Sequence, residues 1–264
     1  MIGEREFRSM LVDGRHLSGI RLAPKTKWPG RDLTRVDFEN CDFEAVVMGG
    51  LLSRPSFQGC AMRGVNLSGI NAQKATWKDC AFVDVQMDGA FGVVRNSVFR
   101  GCNLTQVRLG GMLFEACVFD ACQFNGIVAA KVNFKSVRFQ DCVFSGTFSS
   151  VNWVDCTTQA VDMSGVRMLD CSLIDHRVPD IKFPDNDENF FATLRDFTAA
   201  AEAMKGKLSS AAFQSFVDAS EFLRVSARGE ILDVEFFEGL SKAEARVLMS
   251  EFRALLRATS SSVA

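Results

Sequence analysis

Residues 99–124 read FRGCNLTQVRLGGMLFEACVFDACQF. Large apolar residues stand at Phe99, Leu104, Leu109, Phe114, Phe119 and Phe124, one every five positions. Cys102, Val107, Cys117 and Cys122 each stand two residues before one of them. A period of five matches neither the α-helix at about 3.6 residues nor the flat strand at about 2. It fits short extended sides joined by tight turns, with two residues of each side pointing inward.

The same beat runs outward in both directions. Upstream lie Leu33, Phe38, Phe43 and Met48, then Phe57, Met62, Leu67, Ala72, Trp77, Phe82 and Met87. Downstream come Ala129, Phe134, Phe139 and Phe144, then Trp153, Thr158, Met163, Met168 and Leu173. One residue is missing between Met48 and Phe57 and again between Phe144 and Trp153, while two are extra between Met87 and Phe99. The extra stretch carries Gly and Asn, which suit a bulge at a corner.

Cys41, Cys60, Cys80, Cys102, Cys122 and Cys142 are spaced by 19, 20, 22, 20 and 20 residues. A beat of five inside a beat of twenty means a coil with four sides, each thiol stacking above the previous one. Stacked sides pair as parallel strands, so no coil is stable alone and a continuous core runs along the axis. About 29 units from Leu33 to Leu173 make about seven coils, a rod of about 34 Å at a rise of about 4.8 Å per coil. Val12, Leu17, Leu22 and Trp28 keep a looser beat and predict an irregular first coil.

Cys41-Asp-Phe43, Cys80-Ala-Phe82, Cys102-Asn-Leu104, Cys122-Gln-Phe124 and Cys142-Val-Phe144 resemble the cysteine- and phenylalanine-rich variant of the pentapeptide-repeat family. The resemblance covers about residues 30–175 and implies a mainly β protein, a right-handed quadrilateral parallel β-helix of about seven to eight coils. Ala72, Ala129 and Thr158 depart from the pattern as small or polar centres, and Pro55 takes an inward position near the first slip. The expected organisation is a cap or irregular first coil over 1–30, the β-helix over 31–175, and a linker with a small α-helical region over 176–264.

The cysteines read as core. A metal centre needs thiolates converging on a point, and a straight column does not converge. Stacked parallel side chains hold Cβ atoms farther apart than the roughly 3.8 Å a disulfide prefers. A catalytic thiol needs a base and some exposure, yet His16 and His176, the two histidines, fall outside the regular coils. The expectation is that cysteine fills space beside each aromatic ring as a small hydrophobe. The structural column is therefore Cys41, Cys60, Cys80, Cys102, Cys122 and Cys142 with Phe43, Phe82, Phe124 and Phe144. The 24 Phe and absence of Tyr suit an interior offering no partner to a hydroxyl.

Lys and Arg total 30 against 32 Asp and Glu, which gives no basic footprint for nucleic acid. No apolar run reaches the roughly 18 residues of a membrane span. The opening MIGEREFRSM is charged where a secretory signal has its apolar core, so a cytoplasmic location is expected.

After Leu173 the beat stops. Ile174 to Pro184 reads as an extended connector with two prolines. Asp185-Asn-Asp-Glu-Asn predicts a helix cap, with Phe190, Phe191, Leu194 and Phe197 at helical spacing and Gly206 as the stop. A second helix is predicted from about Ser209 to Gly229 with Phe213, Phe216, Val217, Ser220 and Leu223 on one side. A third starts at Ser241, whose spacing to Glu244 is that of a capping box. It uses Val247, Leu248, Phe252, Leu255 and Leu256, and the tail from Thr259 is expected to fray.

No Gly-rich phosphate loop, metal cluster or nucleophile–base pair is evident, so no catalytic, cofactor or metal residues are assigned. The leading expectation is a non-enzymatic protein–protein interaction protein using the outer surface of the rod and its C-terminal helices, with a homodimer through those helices as one arrangement. A second class, implied by the resemblance, is a DNA mimic that binds gyrase through acidic columns. Between Leu33 and Leu173, however, 12 basic residues stand against 13 acidic ones, far from the charge density of phosphates. A third is a secreted bacterial effector, non-catalytic because residues 174–264 hold no cysteine for thiol chemistry. Val98 and Val118 are expected on one outer column, one coil apart. With Val128 and Val143 on other sides, they form the candidate interaction patch.

Overall fold

In the computed structural model the chain winds into a parallel β-solenoid of about eight turns. The structure describes residues 1–12, 14–26, 32–88, 92–174, 180–185, 189–192, 200, 209–226, 230–232, 237 and 239–261. His176, Trp28, Leu194, Phe197 and Gly206 lie outside the described residues.

Each turn has four faces. Face 1 stacks Leu33, Leu52, Ala72, Val94, Phe114, Phe134, Trp153 and Leu173. Face 2 stacks Leu17, Phe38, Phe57, Trp77, Phe99, Phe119, Phe139 and Thr158. Face 3 runs from Phe43 through Met62, Phe82, Leu104 and Phe124 to Phe144. Face 4 aligns Met87, Leu109, Ala129, Phe148 and Met168. Every strand pair among these faces is parallel and one coil apart, so the periodicity read from the sequence is the strand register itself.

The slips are resolved at corners. Leu52 takes the central position four residues after Met48, and Phe148 does so four residues after Phe144. The shortened unit at Phe144 shifts the register between Phe124 and Ile127, and Gly146, at φ 127, lies against Ile127. The two extra residues fall between Met87, opposite Leu109, and Val94, opposite Phe114.

At most corners the residue two beyond the centre has φ near +50, as at Asn40, Asp79 and Asp141. Short polar side chains tolerate this left-handed conformation better than bulky ones. Within the coil, rings stack directly along face 2. Centroids are 4.9 Å apart for Phe38–Phe57, 5.8 Å for Phe57–Trp77, 4.4 Å for Trp77–Phe99, 4.6 Å for Phe99–Phe119 and 5.3 Å for Phe119–Phe139. Such pairs contribute about 0.5–1.5 kcal/mol each beyond their buried area. All four faces turn their central residues into one buried cluster that fills the coil, with Thr158 at the end of face 2 left half-buried.

Both ends are closed by non-repeating chain. At the start, α1 (Glu4–Met10) buries Phe7, and Leu11 follows it into the core. Leu17 and Leu22 are buried as expected, but Val12 is exposed because Leu11 takes the inward position. At the far end Ile181–Lys182 extends face 3 by pairing with Val161 and Asp162.

The C-terminal region departs from the predicted helices in three respects. Phe190–Ala192 is a strand, paired antiparallel with Glu230–Leu232, and the latter packs against Ser172–Ile174, the last strand of face 1. Residues whose spacing suits a helix are extended here because the open end of the coil offers an edge to cover, and tertiary context overrides weak propensity. Second, α3 (Lys242–Ser261) continues through the expected frayed tail. Third, Val247 faces solvent, since the buried stripe is Ala245, Leu248, Met249 and Phe252, at the i, i+3, i+4, i+7 spacing of one helix face. α2 (Ser210–Ser226) buries Ala212, Ser215 and Phe216. Phe216 meets Phe237 and Phe252 at 6.4 and 5.2 Å. Ser241 and Glu244 form the capping box, with Ser241 N donating to Glu244 Oε2 at 2.9 Å and Glu244 N to Ser241 Oγ at 3.3 Å.

Candidate functional surface

The cysteines were the sequence's strongest chemical feature, and all nine are buried and outside any disulfide. Cys41, Cys60, Cys80, Cys102, Cys122 and Cys142 lie in one column at the corner entering face 3, beside Phe43, Phe82, Phe124 and Phe144. Their thiols do more than fill space. Each donates toward the carbonyl two residues before it and toward one on the preceding coil. Cys122 Sγ lies 3.4 Å from Asp120 O and 3.5 Å from Phe99 O. Cys142 lies 3.2 Å from Gln140 O and 3.5 Å from Phe119 O.

Cys117 and Cys156 serve the corner entering face 2 in the same way. Burial pushes Cys117 up to about 11 and Cys156 up to about 12, from a reference of 9.0. Ser97 takes the equivalent slot one coil before Cys117. Its hydroxyl accepts from Ala75 N at 3.0 Å and donates to Arg95 O at 2.8 Å. Cys117 and Cys156 are held by burial as neutral donors.

Among the described residues no three His, Cys, Asp or Glu side chains are grouped to hold a metal ion. His16 sits on the outside of face 2, its Nε2 3.3 Å from Glu39 Oε2. Among the described residues no helix is long and apolar enough to cross a membrane.

On the outside, opposite charges are set into the same columns. Glu115 lies between Arg95 at 2.7 Å and Lys135 at 3.4 Å on face 1, and these cations hold its carboxyl below the usual carboxylate range. Arg100 pairs with Asp120 at 2.8 Å on face 2. On face 3 Asp42 bonds Arg63 at 2.7 Å. Val98 lies directly opposite Val118 on the outside of face 2, both half-buried. Val128 on face 4 and Val143 on face 3 are 52% and 39% exposed. Three separate faces thus carry the four valines.

Two features at the C-terminal end escaped the sequence reading. Asn189, fully buried, accepts from Met168 N at 2.9 Å and donates to Met168 O. Its side-chain amide thereby substitutes for the next strand of face 4. The signal was present in the Asn-rich run after Pro184, which reads as a helix cap, whereas this residue caps a strand edge. Arg253 of α3 donates to Asp185 Oδ1 at 2.7 Å and to Asp185 O at 2.6 Å, tying the helix to the segment leaving the coil.

No protein-family model matches the chain, and no curated protein matches it. Among solved structures the full-length plasmid-mediated fluoroquinolone resistance protein QnrB1 aligns at 17% identity over 61% of this chain and 92% of its own, with a TM-score of 0.25. HetL, a pentapeptide-repeat protein involved in heterocyst differentiation regulation from Nostoc sp. strain PCC 7120, aligns at 11% identity, covering 69% of this chain and 95% of its own, TM-score 0.23. A putative glycosyl hydrolase from Parabacteroides merdae aligns at 9% identity over 53% of this chain and 81% of its own, TM-score 0.26. The pentapeptide character of this chain rests on its own coil: one five-residue unit per face and four faces per turn.

Proposed function

We propose that the chain is a non-enzymatic protein–protein interaction protein that works through the outer surface of its β-solenoid and its C-terminal helices. The observation that carries this reading is the filled interior. The central residues of the four faces, half-buried Thr158 apart, and the cysteines between them are buried against one another, so recognition falls to the outward columns. Those columns are rigid and regularly spaced, which keeps the conformational cost of binding low. The proposed partner is a protein, with neither nucleic acid nor membrane as the target. Charge pairing on faces 1, 2 and 3 does not favour a DNA mimic, which presents uncompensated acid.

Two measurements test the reading. Capture of partners by the full chain should fail for a variant with Val128→Lys and Val143→Lys, folding being checked by circular dichroism. A gyrase supercoiling assay should show neither inhibition nor drug protection; either effect would replace this reading with the mimic.

A further inference from the structure

Face 2 is the most regular side of the rod: eight strands of three residues, without a bulge, over the stacked rings from Phe38 to Phe139. Three outward columns run along it. The corner leading into it carries Arg35, Arg54, Lys74, Asn96, Ala116, Ser136 and Asp155, all with φ between 50 and 56. Identical backbone geometry at each level makes these side chains project in parallel. The corner therefore changes from basic, through neutral, to acidic along the rod. The next column reads Ser56, Thr76, Val98, Val118, Arg138 and Thr157, and the third Gln58, Lys78, Arg100, Asp120, Gln140 and Gln159.

Each column is complementary to its own reverse. A two-fold axis between the Val98 and Val118 levels, lying in the plane of contact, sets every column against an antiparallel copy of itself. Arg54 then meets Asp155 of the second copy, Lys74 meets Ser136, and Asn96 meets Ala116. In the second column Thr76 meets Arg138, and Val98 meets Val118. In the third Lys78 meets Gln140, and Arg100 meets Asp120. No like-charged pair arises in these three columns between the Arg54 and Asp155 levels, while the far corner of the face, at the edge of the contact, sets Asp79 opposite Asp141. The two half-buried valines fall at the centre, where an interface is most apolar.

We infer that face 2 is a self-association surface whose occupant is a second copy of this chain, packed antiparallel about an axis between Val98 and Val118. Isologous contacts require this kind of self-complementary patch. The contact spans six levels, about 29 Å by about 13 Å, or about 800 Å² over both copies, below the roughly 1,200 Å² of stable interfaces and in the range of weak, transient ones. The dimer is accordingly weak and concentration-dependent. The inference rests on one face of the rod, so its failure leaves the proposed function standing.

The full chain with Arg54→Cys and Asp155→Cys tests it. Within one chain these positions are five levels apart, about 24 Å, too far for a disulfide. Mild oxidation should give a covalent dimer for the double variant and none for either single variant. In sedimentation velocity Arg54→Asp should weaken the dimer about tenfold, with Arg54→Asp plus Asp155→Arg restoring it. A monomer at every concentration overturns the inference. So does a dimer that ignores the charge reversal and fails to cross-link, since it must use another surface.

Discussion

Asn189 presents its side-chain amide to Met168 as a strand would, accepting from the main-chain N–H at 2.9 Å and donating to the carbonyl of the same residue. A parallel coil must end somewhere, and its last level leaves donors and acceptors that would otherwise be buried unpaired or open to strand addition. One amide, fully buried, satisfies both groups on face 4. Asn189→Ala should cost about 2–3 kcal/mol in urea unfolding, the penalty for a buried donor and acceptor left unpaired. Hydrogen exchange at Met168 should accelerate while exchange at Phe119 stays unchanged. Equal acceleration at both would show that Asn189 acts on the whole fold and not on its end.

Gly146 lies at φ 127, and a Cβ there would run into the Ile127 backbone. Gly146→Ala should destabilise by about 3 kcal/mol or more, because both backbone strain and a clash with main chain oppose it. Gly126→Ala is the comparison. At φ +63 its Cβ would meet only Gln106 Cγ at 3.9 Å, so the cost should be about 1 kcal/mol. Chemical denaturation of the two variants separates the effects.

The buried thiols make stability depend on alkaline pH. Cys117 and Cys156 are raised to about 11 and about 12 in the folded chain, whereas an unfolded chain ionises them near 9.0. A raised folded value means that the stabilisation is fully present below pH 9 and is lost as pH climbs toward 11 and 12. Each such thiol contributes a slope of up to about 1.4 kcal/mol per pH unit in that window. Urea midpoints should be flat from pH 7 to 8.5 and fall steeply above. The Cys117→Ser/Cys156→Ser variant should fall less steeply, with the donor geometry seen at Ser97 preserving most of its stability at neutral pH.

Arg253 is 12% exposed and holds both the carboxylate and the carbonyl of Asp185. Arg253→Ala should loosen α3 from the connector at a cost of about 1–3 kcal/mol, the usual range for a charge-assisted hydrogen bond. Arg253→Lys, which lacks the planar fork, should recover only part. Protection of α3 amides should drop in both variants, and protection of the face 2 strands should not. Loss on face 2 as well would mean that α3 supports the coil as a whole.

What the sequence revealed, and what it hid, follows from where environments repeat. Phe99, Phe119 and Phe139 each sit between the central residues one coil up and one coil down, so a single period encodes them all. The slips were countable because Cys60 and Cys102 stay on their column across them. Asn189, Phe190 and Val12 meet surroundings that occur once, and no period reports on such positions. Val247 was misplaced for a related reason: several phases of an apolar helix look alike until a partner chooses among them. The valines of the candidate patch were placed by register, yet their consequence for face 2 required the charges on the corner beside them, which no pattern of hydrophobicity contains.

Nearly every strand in the coil pairs with one about twenty residues earlier, and the first level is plugged by α1 with Phe7 and Leu11. The order of contacts is thus the order of synthesis. In chain order α1 precedes the repeats, and each later turn has an earlier one to pair with. Contacts so close in sequence spare the chain the entropy of distant loop closure, which slows most β architectures. Asn189 closing face 4 and Arg253 gripping Asp185 from 68 residues away stand outside this order, each needing chain that comes after the last coil. A rod built in this order keeps one sticky edge, always its youngest, and the chain that follows the last coil is what retires it.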